Sequence, residues 1–370
     1  MAIRVGVFAD MVSACTGFAV VCSNLAVQLA SHPSLQIVYF GRFGLPPEQN
    51  GLGKSEIKHN FIYVKAEGGV WRQETVEKAI QDYKLQLVFS EDDWYSANGL
   101  LNACKKMGVP FFFLTPIDSI PVQFEGLQLL KKCNQVFVPT NGARRYLKGK
   151  EVNSIPLSHG VHTDVFKPLK IEKPEGLTFV WVGRDDRRKA LGRTLLAYEK
   201  LLKDGYKANL LVRIDWTTPI AQRTLRYINT RKLPVIMEQQ SNCAHEDLVY
   251  TYNRGNVFVC SAKAGGFEMS IIEANACGLA TIVTNHTFMN EQVVHEKSGL
   301  LVPLEKQVIS HYGSLWGNID VDELCNAMEY YVDYPELARI HGNYGREWVK
   351  QRFNWKSSGD KLYETIKKLL

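Results

Sequence analysis

The sequence predicts an α/β fold of two doubly wound domains, and three observations carry that prediction. Short runs rich in Val, Ile and Phe alternate with amphipathic stretches along the chain, as in parallel sheets covered by helices on both faces. The length of 370 residues exceeds what one hydrophobic core usually serves. A segment with two prolines and alternating charge, KPLKIEKPEG at 167–176, separates two halves of similar size.

The elements follow from this alternation. Strands are predicted over 4–8, 36–40, 85–90, 109–114, 135–139, 177–183, 209–214, 235–237, 256–260 and 280–283. Helices are predicted over 18–31, 73–83, 94–107, 193–204, 217–230, 245–254 and 269–277. The predicted domains are residues 1–166 and 167–352, and a last amphipathic helix within 353–370 is expected to pack back on the first domain. Ligands bind beyond the carboxyl ends of strands in such sheets, so functional residues are expected just after strands.

Composition narrows the class of protein. None of the eight cysteines forms a C-x-x-C pair, so buried thiols in a reducing compartment are expected rather than a disulfide framework. No apolar run reaches the about 18 residues that span a bilayer, and the N-terminus lacks a signal-peptide pattern, which predicts a cytoplasmic protein. The net charge of +6 is mild. Its short basic clusters are interpreted as solvated helix faces, and peripheral contact with an anionic membrane, phosphates or nucleic acid is the less favoured alternative.

The segment WVGRDDRRKALGR at 181–193 suits a diphosphate. Gly183 makes the turn after a strand, and Arg184 and Lys189 flank a short charged loop before a helix. Backbone N–H groups at the helix start and the two cations would favour an anion. A surface loop whose Arg and Asp side chains pair with one another is an equally good interpretation.

A second segment, SAKAGGFEMSIIEANACGLATIVTN at 261–285, places one carboxylate on a helix that follows a strand. Glu273 lies one turn inside that helix, where its two oxygens could accept hydrogen bonds from a ribose diol. A buried helix residue paired with a nearby arginine is the alternative.

These segments resemble the two donor-site motifs of the retaining glycosyltransferase family 4. Supporting similarity lies in SHGVHTDVFKP (158–168), NCAHEDLVYTYNRGNVFVCSA (242–262), SGLLVP (298–303) and GREWVKQRFNW (345–355). The resemblance is strong over 134–370 and weaker before it. It implies a GT-B fold, in which two Rossmann-like domains face a central cleft. It also implies a metal-independent hexosyl or pentosyl transfer (EC 2.4 type), with retention, from a UDP- or GDP-sugar to an acceptor hydroxyl.

The resemblance also implies roles for individual residues of the second half. Arg184 and Lys189 would hold the donor diphosphate, and Glu273 would bind the ribose. Backbone groups of Gly266 and Phe267 would contact the sugar, and the nucleotide base would lie near Ile236 and Gln239.

In the first half, the loop TGFAVVCSNLAVQL resembles the family's glycine loop. Thr16 and Gly17 would then approach the phosphate or the acceptor. Asp118, in FLTPIDSIP, would be the carboxylate nearest the reacting sugar, where it or a donor phosphate oxygen receives the acceptor's proton. No bound cofactor and no metal site are expected, because His159 and His162 lack a third ligand.

One carboxylate is missing from its usual position. Gly265 stands where the family has the first of two glutamates, and Glu268 occupies a place usually held by glycine. Either Glu268 takes over the lost role from the next turn, or the sugar site differs. Two other functions stay open: a transferase acting on modified DNA bases, and a lapsed member that binds a nucleotide sugar without turnover. The acceptor, whether glycan, glycolipid, protein or modified nucleic acid, is not predicted.

Overall fold

The computed structural model describes residues 2–14, 16–43, 61–65, 70–240 and 245–369. The chain divides into two compact units. The first consists of the described parts of Met1–Ile117, Val122–Gly160 and Asn354–Leu370. The second consists of Asp118–Pro121 and Val161–Phe353, so the short segment 118–121 belongs to the second unit by its contacts.

The first unit is built on a seven-stranded parallel sheet. Its strands are β1 (Ile3–Asp10), β2 (Leu35–Arg42), β3 (Phe61–Lys65), β4 (Leu87–Glu91), β5 (Phe111–Leu114), β6 (Gln135–Val138) and β7 (Ser154–Pro156). They are ordered β3-β2-β1-β4-β5-β6-β7, and every neighbouring pair is parallel. The chain runs outward in one direction from β1 and in the other from β4, so the switch point of this sheet lies between those two strands.

Helices connect these strands. They are α1 (Gly17–Ala30), α2 (Gln73–Tyr83), α3 (Asn98–Met107), α4 (Phe124–Leu130) and α5 (Asn141–Lys148). The helix α1 begins where it does because Thr16, in extended conformation, accepts a hydrogen bond from the Ala19 N–H and caps the first turn. Its apolar side chains, such as Leu25 and Leu29, are buried against the sheet.

The second unit repeats the plan with six strands. They are β8 (Thr178–Val182), β9 (Asn209–Ile214), β10 (Val235–Gln239), β11 (Val257–Cys260), β12 (Ala280–Thr284) and β13 (Gly299–Val302). The order is β10-β9-β8-β11-β12-β13, which places the switch point between β8 and β11. An antiparallel hairpin follows, formed by β14 (Leu304–Ile309) and β15 (Leu315–Ile319).

Helices cover both faces of this second sheet. They are α6 (Leu191–Lys203), α7 (Pro219–Arg231), α8 (His245–Asn253), α9 (Met269–Ala276), α10 (Val321–Asp333) and α11 (Pro335–Arg352). Alternate residues of β8 enter different cores: Phe179 and Trp181 join one apolar cluster, and Val180 joins the other. The strands are buried on both faces, as continuous apolar runs predict.

The last helix, α12 (Trp355–Leu369), belongs to the first unit and packs on α1. A Cβ at Gly359 would lie 2.3 Å from the Cβ of Gln28, so only glycine permits this approach of the two helices. Leu362 and Ile366 are fully buried on the same face of α12.

The two predicted doubly wound, Rossmann-like domains are confirmed, and all ten predicted strands are present. The structure adds strands that the sequence pattern concealed: β3, β7, β13, β14 and β15. β7 has only three residues, and β14 exposes polar side chains, so neither shows the apolar run on which the prediction depended. The predicted helix 94–107 is a 3-10 turn over Trp94–Ser96 followed by α3.

Two further sequence expectations concern cysteines and membranes. The six described cysteines carry free thiols, and all but the half-buried Cys133 are buried. Cys15 and Cys243 lie outside the described residues. Across the described ranges, no helix combines the length and apolar character that crossing a bilayer requires.

Candidate functional site

Two loops meet at the switch point of the second sheet. The β8 loop (183–190) follows β8, and the β11 loop (261–268) follows β11. The Lys263 N–H donates to the carbonyl of Arg188 (2.7 Å), and the Arg188 side chain donates back to the carbonyl of Ala264 (2.8 Å). The Ser261 hydroxyl donates to the carbonyl of Ala190 (3.1 Å). These bonds join the two loops into one surface at the place where such sheets bind ligands.

Asp186 organises the β8 loop. Its Oδ1 accepts hydrogen bonds from the backbone N–H groups of Arg188 (2.9 Å) and Lys189 (2.8 Å). Its Oδ2 accepts a bond from the Nε of Arg184 at 3.2 Å, although the Arg184 side chain remains 78% exposed. Asp185 points the other way and accepts a bond from the Thr224 hydroxyl (2.6 Å), and burial raises the pKa of its carboxyl group. Both aspartates therefore have structural partners within the fold.

A buried carboxylate holds the two central cations of this surface. The Glu268 side chain is 5% exposed; its Oε1 accepts from the Nη1 of Arg188 (3.0 Å), and its Oε2 accepts from the Nζ of Lys189. Burial opposes ionisation of Glu268, but the charges of Lys189 and Arg188 hold its pKa below the usual value. Burial likewise opposes the charge on Arg188, yet Asp118 and Glu268 raise its pKa. Glu268 and Arg188 are consequently held in their ionised forms at neutral pH.

The position of the missing carboxylate is now visible. A Cβ built on Gly265 would lie 2.6 Å from Oε1 of Glu268. The Glu268 carboxylate therefore fills the space into which a side chain at position 265 would begin to grow. Its backbone is fixed as well, because the Glu268 N–H donates to Gln292 Oε1 (2.8 Å) and its carbonyl accepts from Gln292 Nε2 (2.9 Å). Whether this carboxylate serves the sugar remains a prediction.

Asp118 lies beside the same cations. Its Oδ1 accepts from the Gly266 N–H (2.9 Å), and its Oδ2 lies 3.7 Å from the Nη1 of Arg188. Its side chain is 37% exposed. The segment that carries it is attached to the hairpin, because the Leu315 N–H donates to the carbonyl of Ile120 (2.9 Å). The sequence analysis placed Asp118 within the first half, whereas its contacts are with the second unit.

Glu273 stands apart from this charged network. Its half-buried carboxyl group accepts a hydrogen bond from the Tyr252 hydroxyl (2.9 Å), so its partner is a tyrosine and not the arginine of the alternative interpretation. Burial raises the pKa of Glu273 to about 7, against the opposing effect of the Tyr252 bond. Near neutral pH the group is thus poised between a form that only accepts hydrogen bonds and one that also donates.

The predicted base site falls on β10. This strand runs to Gln239, two residues beyond the predicted end, so Gln239 is the last residue of the strand and does not follow it. Ile236 packs on the core beneath α8 and α9, whereas Gln239 is exposed and donates to Asp215 Oδ1 (3.0 Å). Phe267, in the β11 loop, packs edge-to-face on Phe353 with 5.6 Å between ring centroids.

Thr16 and Gly17 belong to the first unit. The Thr16 hydroxyl donates to Asp10 Oδ2 (2.6 Å), while a Cβ on Gly17 would meet no atom within 4 Å. Asp10 also accepts from the Nε of Arg42 (2.8 Å), and Nη2 of Arg42 lies 2.5 Å from Asp92 Oδ2. These three charged groups, Asp10, Arg42 and Asp92, form a buried triad at the switch point of the first sheet. Burial raises the pKa of Asp92 to about 6, although Arg42 opposes that rise.

In the described part of the chain, one group of three side chains, Asp204, Cys325 and Glu329, lies close enough to share a metal ion. It lies where α6 ends, whereas the β8 loop precedes the start of that helix. His159 pairs instead with Glu91 at 2.9 Å, in the first unit.

The sequence analysis missed one central residue, Arg188. Its Nη1 contacts Glu268, Asp118 and the carbonyl of Ala264, so it connects the β8 loop to both carboxylates. The available signal was the run Arg187-Arg188-Lys189, in which three consecutive cations follow two aspartates.

The region that carries the charged loops matches a known family model. Residues 164–312 match the family model described as Glycosyl transferases group 1. An uncharacterized glycosyltransferase of Methanocaldococcus jannaschii is 19% identical over 262 residues, which cover 66% of this chain and 61% of that protein. The chain thus spans less than two thirds of the length of this relative.

Solved structures give the fold over nearly the whole chain. Sucrose-phosphate synthase from Thermosynechococcus elongatus superposes with a TM-score of 0.80 at 20% identity, covering 99% of both chains. Anabaena HepE, solved in complex with UDP and glucose, gives 0.76 at 12% identity and covers 99% of this chain and 100% of its own. The chain therefore has the GT-B fold, and the group 1 match lies in the unit that carries the charged loops.

Proposed function

We propose that this protein is a glycosyltransferase that moves a sugar from a nucleotide-diphosphate donor to an acceptor hydroxyl, with the second unit as the donor domain. The observation that carries the proposal is the cluster of Arg184, Arg188 and Lys189 at the switch point between β8 and β11. It lies inside the region that matches the group 1 model. The complex of Anabaena HepE with UDP and glucose supports a nucleotide sugar as the donor class.

The cations would act on the departing diphosphate. Breaking the bond to the anomeric carbon leaves negative charge on the phosphate oxygens, and fixed positive charges stabilise that charge most as it develops. The ammonium of Lys189 has three N–H donors, so it can keep its bond to Glu268 and still donate to a phosphate. Arg184, whose exposed side chain is held by Asp186, can turn toward the donor at low cost. Protonated side chains supply this charge, so the proposed reaction is metal-independent.

Asp118 would serve the acceptor side of the reaction. Its carboxyl group is held by the Gly266 N–H and lies near Arg188, and a carboxylate in such a place can accept a proton from a hydroxyl. A donor phosphate oxygen is the other group able to receive that proton. Retention at the anomeric carbon is proposed from the family resemblance.

Glu268 and Glu273 would contact different parts of the donor. Glu268 lies next to Gly265 and Gly266, so the sugar is its expected ligand once a donor enters. Glu273, one turn into α9, is expected to bind the ribose diol. Glu268 would thus contact the sugar that reacts, whereas Glu273 would contact the nucleotide, which is bound equally in the ground state and the transition state.

The decisive experiment measures donor binding and transfer together. Calorimetric titrations with UDP, GDP and ADP, followed by their glucose conjugates, identify the base, because a bound nucleotide stabilises the native state. Lys189→Gln should reduce the rate of sugar release or transfer by about 10²-fold, as expected for a group that stabilises transition-state charge. Lys203→Gln, on the exposed last turn of α6, is the matched control and should behave as the original protein. Unchanged kinetics in Lys189→Gln would contradict the assigned donor site.

A further inference from the structure

Lys263 occupies a fixed position between the β8 loop and the hairpin. Its N–H donates to the carbonyl of Arg188 (2.7 Å), and its own carbonyl accepts from the Gly317 N–H in β15 (2.8 Å). The side chain is half-buried. These two bonds fix the Cα of Lys263 beside the β8 loop, next in the fold to Arg188 and its chain neighbour Arg187.

The surroundings of this ammonium are cationic. Within the described ranges, neither Lys263 nor Arg187 forms an ion pair or a side-chain hydrogen bond, and Arg187 is exposed. Arg193, a third cation nearby, is already bound by Glu305, which also binds Lys306 (3.1 Å). Burial lowers the pKa of Lys263, and the charges of Arg193 and Arg187 lower it further. Like charges held together without a counterion gain free energy when an anion arrives.

The place of this cluster in the sheet separates it from the proposed nucleoside. β10, which carries the proposed base site, lies on one side of β8, and β11, from which Lys263 follows, lies on the other. The diphosphate cations of the β8 loop lie between them. An anion bound at Lys263 is therefore expected on the sugar side of the diphosphate, away from the base.

We infer that Lys263 and Arg187 form a second anion subsite, which binds a phosphate or carboxylate group carried by the acceptor or by the transferred sugar. The inference rests on the proposed function for the identity of the substrates, and on the two unpaired cations for the subsite itself. It predicts that this enzyme favours a charged sugar substrate over its neutral counterpart.

The primary test uses inorganic phosphate as the probe and saturating UDP to fill the diphosphate site. Calorimetry should detect phosphate binding to the UDP complex. Lys263→Gln should weaken that binding about tenfold, the loss expected for one charge-assisted contact, and Arg187→Gln should weaken it less because that side chain is more exposed. Both variants should bind UDP within about twofold of the original affinity, as should the control Lys297→Gln, an exposed lysine elsewhere in the second unit.

Two further titrations distinguish the sources of the anion. Tighter binding of glucose 6-phosphate than glucose to the UDP complex, lost in Lys263→Gln, assigns the anion to the acceptor. Tighter binding of UDP-glucuronate than UDP-glucose, lost in the same variant, assigns it to the transferred sugar. Equal phosphate binding by the original protein and Lys263→Gln, or no phosphate binding at all, would overturn the subsite. Failure of the original protein to bind UDP would instead overturn the proposed function. The subsite would then be tested by comparing phosphate binding to the UDP-free original protein and to UDP-free Lys263→Gln.

Discussion

The switch points of the two sheets carry charged side chains at equivalent places and use them in opposite ways. In the first unit, Arg42 pairs with both Asp10 and Asp92, and each of the three is at most 7% exposed. In the second unit, Lys263 and Arg187 keep unpaired charges among the described residues, and Arg184 is largely exposed. A buried triad whose partners are all internal stabilises a loop, whereas open cations can take a ligand. The position of charged residues at a switch point therefore does not decide their function. What matters is whether they are already paired within the protein.

Disrupting the first switch point should have the largest effect, and it should appear in stability. Arg42→Met leaves two carboxylates buried without their cation, so we expect the free energy of unfolding to fall by about 3–5 kcal/mol. Urea denaturation measures this loss, and Arg144→Met, an exposed arginine of α5, is the control. UDP affinity of the protein that remains folded should not change. A variant with normal stability and weak UDP binding would show that the triad belongs to the donor site.

The second prediction exchanges the two positions around the missing carboxylate. Glu268→Gly should reduce sugar transfer by about tenfold or more, because the sugar loses a partner. UDP affinity should not fall, because Arg188 and Lys189, released from Glu268, can still donate to the diphosphate. Gly265→Glu alone forces two carboxylates together, since its Cβ would lie 2.6 Å from Glu268 Oε1. The double variant Gly265→Glu with Glu268→Gly keeps one carboxylate at this place and should recover most of the transfer rate. If Glu268→Gly transfers sugar normally, Glu268 only neutralises Arg188 and Lys189.

The third prediction concerns pH and Glu273. Its pKa is raised from 4.5 to about 7, so its contribution to stability is full below about pH 4.5 and is lost as the pH rises through 7. Ribose binding should instead improve as the pH rises, because the ionised carboxylate accepts hydrogen bonds from both hydroxyls of the diol. UDP should therefore bind a few-fold more tightly above pH 7 than below it. Glu273→Gln should flatten both profiles relative to the original protein. Parallel pH profiles of UDP affinity in the two proteins would rule out contact with the ribose.

The smallest effect is expected at the most exposed cation. Arg184→Ala should weaken UDP binding only a few-fold, because solvent and salt screen a side chain that is 78% exposed. The difference from the original protein should shrink in 0.5 M NaCl. Arg223→Ala, on the exposed face of α7, is the control. A loss as large as that expected for Lys189→Gln would mean that Arg184 closes over the bound donor.

The sequence predicted those parts of the molecule whose residues lie together in the chain. The buried strands were found because apolar runs such as TFVWV are continuous, and the two charged loops were found because each directly follows such a strand. Contacts between residues that lie far apart in the sequence could not be predicted from such local patterns. Glu268 is 79 residues from Lys189, and the attachment of Asp118 to Gly266 spans 148 residues. Arg188 was missed because its function depends entirely on such distant partners.

Because the helix α12 belongs to the first unit but follows the second unit in the chain, the first unit is completed only at the end of this sequence. The face of α1 that receives Gly359 leaves the ribosome early, but its cover is made only after the whole second unit has been translated. Because domains fold as units during synthesis, the apolar side of α1 stays open while 161–353 can already fold. A nascent chain halted before Trp355 would therefore display an unfinished first unit, a natural target for a chaperone that binds apolar surface.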